Sequence, residues 1–177
     1  AEDVEEVAIG MSEPGWKITG DPEPAKQSPK SVVDGQFSMA FCAAVALKSG
    51  GLVWDDYARH LGDPATLALC KRVKTRIDAK AQADFPAEMS ASVRIKTARG
   101  AFETYVRVPK GEPANFLSAA ELRAKFDGLA GPYLSARRRD EFAGAILALD
   151  QAQDIGALLR LTRPDATSGR RVAAAGH

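Results

Sequence analysis

Gln36-Phe37-Ser38-Met39-Ala40-Phe41-Cys42-Ala43-Ala44-Val45-Ala46-Leu47 is the stretch whose reading decides the fold. Past Ser38 it is apolar on every face, and a helix that is hydrophobic all round belongs inside a protein. Its alanines let neighbouring backbones come close. Asp34 or Ser38 supplies the N-cap, because a short oxygen-bearing side chain accepts from the free amides of a first turn, and Gly50 and Gly51 supply a left-handed stop. The stretch therefore predicts a central helix whose Ser38/Phe41 end opens toward a loop.

Outward from it, 177 residues with 45 % hydrophobic content are enough for one globular domain with a sizeable core. No apolar run has the length needed to cross a bilayer. Lys and Arg number 24 against 23 Asp and Glu, and a net charge of +1 argues for neither nucleic acid nor membrane as partner. Cys42 and Cys70 each lie in an apolar helical pattern and read as buried free thiols of a cytoplasmic protein. The chain opens at Ala1 without an initiator Met or a signal sequence and enters a strand pattern at once, which reads as a piece of a longer or processed protein.

Before the central helix, Val7, Ile9 and Met11 alternate as in a half-buried strand. From Ser12 to Val33 the period is lost among Pro14, Pro22, Pro24 and Pro29, with Lys17, Lys26 and Lys30 between them. This predicts a long structureless loop, either a binding arm or a plain surface excursion. After the helix, Trp54, Tyr57, Ala58 and Leu61 predict a second helix that leaves Asp55, Asp56, Arg59 and His60 outside. Asp63-Pro64 opens a third, with Asp as N-cap and Pro at the first helical position.

Val73, Thr75 and Ile77 read as a strand, and Ala91–Ala98 and Ala101–Val108 as a hairpin. A two-residue Arg99-Gly100 turn would set Val93 opposite Val106, Ile95 opposite Thr104 and Thr97 opposite Phe102, with Lys96 facing Glu103 and Arg94 facing Tyr105 on the other side. The expected class is therefore α+β: a small, mostly antiparallel sheet of about four strands with helices packed on one face. Ser118-Ala119-Ala120-Glu121 is a capping box with Leu117 and Leu122 as its staple, Gly131-Pro132 ends that helix, and Ser135 and Asp154 cap two more. From Arg163 onward nothing is left to pack, so 163–177 reads as a flexible tail after a domain spanning 1–162.

Residues for catalysis are sparse. His60 sits at a helix end and His177 is the last residue, and there is no phosphate loop, no serine elbow and no cluster of metal ligands. The basic runs 71–76 and 137–139 lack interleaved aromatics and read as solvated charged faces rather than as a nucleic-acid surface.

Gln36-Phe37-Ser38 leading to Phe41 and Val45-Ala46-Leu47, followed by Asp63-Pro64 and Lys71-Arg72-Val73, resembles the C-terminal half of the MmgE/PrpD family. The run Pro109 to Ser118, with Glu121-Leu122 and Lys125-Phe126 after it, is similar to that family's later signature, with Phe116 where Pro is usual. The resemblance implies the small α+β lid of a 2-methylcitrate dehydratase-like lyase or isomerase that acts without metal or cofactor beside the carboxylate of a small di- or tricarboxylate. It implies an N-terminal helical domain of the same protein as partner, homodimers, and a general base outside this chain. Of the family's pocket it carries over Gln36, Ser38 and Phe41, and the proline-rich loop adds Lys30 as a contact for an anionic substrate. Many relatives have Tyr at the position of Phe41, whose hydroxyl is absent here. Read from the residues alone, Ser38 is first an N-cap and Lys30 first a solvated ammonium, and Phe41 is a core aromatic near Phe37 as readily as a pocket wall. A non-catalytic lid-like module that binds a partner chain is the alternative.

Overall fold

The structure, a computed structural model, describes residues 2–164. The chain forms two compact units, Ala1–Phe116 and one beginning at Leu117. The first is built on a four-stranded sheet of order β2-β1-β3-β4, with β1 at Val4–Met11, β2 at Val73–Ile77, β3 at Ala91–Thr97 and β4 at Gly100–Val106. Between β1 and β2 run α1 (Glu13–Thr19), α2 (Glu23–Lys26), α3 (Val32–Gln36), α4 (Met39–Ser49), α5 (Trp54–His60) and α6 (Pro64–Cys70). Since β1 and β2 are parallel, a long crossover between them is required, and these helices fill it. A short α7 (Ala79–Asp84) leads into β3, and both other pairings are antiparallel.

Period-two alternation puts every second side chain on one face, so residues paired across strands form rows. One row runs Val73, Val7, Ile95, Phe102 and the next Thr75, Ile9, Val93, Thr104. Onto the inner half of these rows α4 lays Phe41, Ala44 and Val45, all fully buried, with Tyr57, Leu69 and Cys70 closing the core around them. This is the expected α+β arrangement, with the main helical layer on one face. At one end of the other face α7 leans in: Ser92 Oγ donates to Asp78 Oδ2 at 3.0 Å. A Cβ on Gly10 would stand 2.5 Å from Ser92 Oγ and 2.7 Å from Asp78 Cβ, so the strand approaches that closely only as glycine.

The central helix begins later than its apolar run. Gln36 ends α3, and Ser38 caps α4 by accepting from Phe41 N at 3.0 Å, while Asp34 serves α3 in a capping box with Ser31. Only Ala40, Phe41, Ala44 and Val45 are buried, and Ala46 reaches solvent, so the helix is a layer rather than an enclosed rod. Gly50 stops it at φ 76, as a left-handed C-cap should.

The stretch from Ser12 to Val33 is not the structureless loop its composition suggests. Pro14 and Pro24 stand in the first turns of α1 and α2, where a missing amide costs nothing, and both helices are too short to show a period. Long-range bonds hold them: Gln27 Nε2 donates to Val73 O at 3.0 Å and Thr75 Oγ1 to Gly20 O at 3.4 Å. In α5, Asp56 is buried and His60 largely so, against the expected outward placement, while Trp54 and Ala58 are exposed. Asp56 is drawn in because Oδ2 accepts from Val53 N at 2.8 Å and so caps the helix start.

The hairpin closes on Ala98-Arg99 rather than Arg99-Gly100. Thr97 pairs with Gly100, Val93 with Thr104, Ile95 with Phe102 and Arg94 with Glu103. The register is two residues from that expected, so each side chain keeps its face and changes its partner. Lys96 pairs with Glu5 of β1 at 2.9 Å instead of with Glu103. Thr97 Oγ1 accepts from Arg99 N and donates to Gly100 O, fixing the turn one residue earlier.

The second unit holds α8 (Ala119–Ala130), α9 (Ala136–Leu147) and α10 (Ile155–Leu161). The capping box of Ser118 and Glu121 forms as expected, and Ser135 and Asp154 cap the next two helices. Phe126 and Phe142 meet at 5.8 Å between ring centres, and Asp127 takes ion pairs from Arg123 at 2.9 Å and Arg139 at 2.8 Å. The two arginines hold its carboxyl below the usual carboxylate range. The tail expected at 163–177 lies, from residue 165 on, outside the described residues.

Candidate functional site

Short helices α2 and α3 border a cleft of about 540 Å³ lined by Pro22, Pro24, Lys26, Ser28, Lys30 and Asp34. Its walls are fixed by Lys26, whose ammonium donates to Ile18 O at 2.7 Å and Phe37 O at 2.8 Å and so ties the ends of α1 and α3 together. The Lys26 carbonyl in turn accepts the Ser38 hydroxyl. Asp34 Oδ2 accepts from Lys30 N and Ser31 N, both at 3.1 Å. These amides and the Ser31 hydroxyl hold the Asp34 carboxyl below its ordinary value, so it stands ionised in the wall. Lys30 is exposed, and among the described residues its ammonium enters no ion pair. The cleft can therefore offer a cation to an anionic ligand from a rim whose backbone is pinned.

The model of the MmgE/PrpD C-terminal domain matches residues 1–151. The chain belongs to the MmgE/PrpD family. A search of curated proteins found no match. The matched region covers the whole sheet unit of this MmgE/PrpD domain together with α8 and α9.

The structure divides the four residues expected to touch substrate. Lys30 borders the cleft and Gln36 is exposed at the end of α3. Ser38 and Phe41 are fully buried: Ser38 spends its hydroxyl on the Lys26 carbonyl and the α4 cap, and Phe41 stacks on Tyr57 at 5.9 Å. Its aromatic neighbour is thus Tyr57 and not Phe37, which is half exposed. Of the other two lysines in the stretch, Lys17 pairs with Glu13 at 2.7 Å. Both basic runs carry ion pairs in place, Lys74 with Glu23 and Arg76 with Asp78 in the first, Arg137 with Glu141 and Arg139 with Asp127 in the second.

Two polar clusters of the MmgE/PrpD domain were not foreseen from the sequence. At the corner of α4, α5 and α6 the Thr66 hydroxyl donates to Asp63 Oδ2 at 2.5 Å, so its oxygen is left to accept from Lys48 Nζ and His60 Nδ1, both at 2.9 Å. That places a proton on His60 Nδ1, while Nε2 lies 3.2 Å from the Ser49 hydroxyl oxygen. Lys48 and Thr66 hold the Asp63 carboxyl well below the ordinary range. The signal was present in Asp63-Pro64-Ala65-Thr66, an aspartate cap whose third helical residue carries a hydroxyl, but nothing in the sequence aims His60 at it. In the second cluster the Tyr105 hydroxyl donates to Asp84 at 2.5 Å and meets Ser90 Oγ at 2.7 Å, with Lys80 3.7 Å above the ring. Burial and the Asp84 carboxylate push the Tyr105 phenol above its usual value, so it remains a donor. Each cluster joins an α-helix to its neighbours and is satisfied internally. Burial likewise pushes the Cys70 thiol up to about 11, leaving it unreactive. Among the described residues no three His, Cys, Asp or Glu side chains gather in a metal-binding group, and no helix is long and apolar enough to cross a membrane.

Proposed function

We propose that this chain is the lid of a cytoplasmic, 2-methylcitrate dehydratase-like lyase or isomerase that acts on a small di- or tricarboxylate. The reaction class is proton abstraction beside a carboxylate, followed by loss of a leaving group or by reprotonation. The observation that carries this reading is the MmgE/PrpD match over residues 1–151. The cleft supports it with an exposed ammonium, Lys30, on a backbone that Lys26 and Asp34 hold rigid. In this reading Lys30 binds a substrate carboxylate, Gln36 is available for a second polar contact, and the general base belongs to the helical domain of the same protein, within a homodimer. Ser38 and Phe41 act through the fold, since one caps and the other anchors α4 beneath the cleft.

The burial of Phe41, which has no hydroxyl to offer, favours a second reading in which the lid binds a partner chain without taking part in chemistry. Steady-state kinetics of the complete enzyme with 2-methylcitrate, cis-aconitate and iminodisuccinate separates the two. Lys30→Ala is expected to raise KM roughly fivefold with little change in kcat, the size of one exposed charge contact of about 1 kcal/mol. An unchanged KM removes Lys30 from the site, and no turnover of any of the three favours the module.

A further inference from the structure

α4 ends on Ser49-Gly50-Gly51, a polar stop that the carboxylate chemistry proposed above leaves unused. Ser49 is exposed, and its hydroxyl oxygen lies 3.2 Å from Nε2 of His60, the last residue of α5. The ring itself is held. Its side chain is only 13 % exposed, and Nδ1 stands 2.9 Å from the Thr66 hydroxyl, whose own proton goes to Asp63 Oδ2. An oxygen that has given away its proton can only accept, so Nδ1 is the donor. In a neutral ring Nε2 then carries the lone pair, and the Ser49 hydroxyl is the group beside it.

A hydroxyl in reach of a base, with the base oriented by a third group, is the arrangement of an activated nucleophile. Here the third group is Thr66 on Asp63, in place of a carboxylate in direct contact. Two carboxylates stand close enough to favour the imidazolium that forms when the ring takes a proton, Asp56 Oδ1 at 3.9 Å from Nε2 and Asp63 Oδ2 at 4.0 Å from Nδ1. Lys48 and Arg59 share those carboxylates, at 2.6 Å from Asp63 and 3.5 Å from Asp56. Approach to Ser49 is open. A Cβ on Gly50 or Gly51 would meet nothing within 4 Å. Among the described residues the Gly51 amide donates to no carbonyl, which leaves it free for an oxygen on which negative charge gathers.

We propose that Ser49 is an acyl acceptor, with His60 as its base and Thr66 as the residue that positions the base, and that the substrate class is an activated ester of a small acyl group. The Ser49 oxygen bonds to the ester carbonyl carbon while its proton passes to His60 Nε2. The tetrahedral adduct then breaks its bond to the leaving alkoxide or phenolate, which takes that proton from Nε2. Water attacking the acyl-serine by the same route frees the acid and returns the hydroxyl. Nothing in this sequence draws on the α2–α3 cleft, so the two readings stand or fall separately.

The probe is p-nitrophenyl acetate. The folded chain is incubated with it, and the acetyl group is located by mass spectrometry of tryptic peptides. Ser31 and Ser118, exposed cap serines that bond no histidine, are the internal references. Ser49 is expected to acetylate at least about 100-fold faster than either, the lower range for a positioned base. His60→Gln should bring it down to the reference level with the circular dichroism unchanged. Thr66→Val should slow it, and Thr66→Ser should restore it. Because Ser49 is compared with Ser31 and Ser118 inside the unmodified chain, that comparison decides even where a variant fails to fold. Acetylation of Ser49 at the rate of the reference serines, acetyl on Lys48 in its place, or a folded His60→Gln chain that reacts as fast as its parent overturns the proposal.

Discussion

Helices α4 and α8 begin alike and are used differently. Each starts on a serine whose hydroxyl accepts from the amide three residues on, Phe41 for Ser38 and Glu121 for Ser118. Yet α4 buries four of its residues and α8 buries none, with Leu122 57 % and Leu129 49 % exposed. A cap fixes where a helix begins, and only what lies beside it decides what its apolar face contributes.

Truncation should show the contrast most strongly. Phe41→Ala removes a ring enclosed by Tyr57, Ala44 and Val45 and is expected to cost about 3–5 kcal/mol of stability, the range for a large buried aromatic. Both tryptophans, Trp16 and Trp54, lie in the first unit, so fluorescence during denaturant unfolding reads this loss directly. Leu122→Ala, by contrast, should stay within about 0.5 kcal/mol, as for an exposed position. A cost for Leu122 equal to that for Phe41 would erase the distinction. In between falls Ser118→Ala, which removes the hydroxyl that caps the Glu121 amide but keeps the backbone amide that donates to the Glu121 carboxylate, and should lower the helical circular dichroism midpoint by the equivalent of about 1 kcal/mol.

The smallest expected effect is in acid. The Lys48 ammonium and the Thr66 hydroxyl lower the Asp63 pKa in the folded chain, so the unfolded chain binds the proton more readily. Its stabilisation is complete above the ordinary carboxylate range and is lost as pH falls through the lowered folded value. Asp63→Asn should therefore flatten the acid limb of the stability profile and leave the shape above pH 5 unchanged; an acid limb as steep as that of the parent chain would contradict the pairing.

What could be read in advance divides along the same line. Ser38, Asp63, Ser118, Ser135 and Asp154 all cap the helices their spacing suggests, because a cap is a contact within three residues. Alternation gave β3 and β4 their correct faces, but a period of two cannot distinguish registers that differ by two, and Gly100 drew the turn one residue late. Between Ser12 and Val33 each helix is shorter than the window of several turns in which a helical period shows, and the order of the stretch comes from Gln27, Thr75 and Lys26 reaching distant carbonyls. The candidate site was legible in the same partial way. Lys30 and Gln36 are exposed as a ligand contact must be, whereas Ser38 and Phe41 mark where the chain turns into its core. A run of small and aromatic residues looks the same in sequence whether it lines a pocket or fills one.

The central claim is that α4 is a packed support and that ligand chemistry belongs to the α2–α3 cleft above it. Phe41→Tyr tests this most directly, measured as denaturant unfolding of the chain beside turnover of the complete enzyme. A phenol at this fully enclosed position must bury a hydroxyl, so the account predicts a loss of about 1–3 kcal/mol with no gain in kcat. Unchanged stability together with a raised kcat would place residue 41 on the substrate and contradict it.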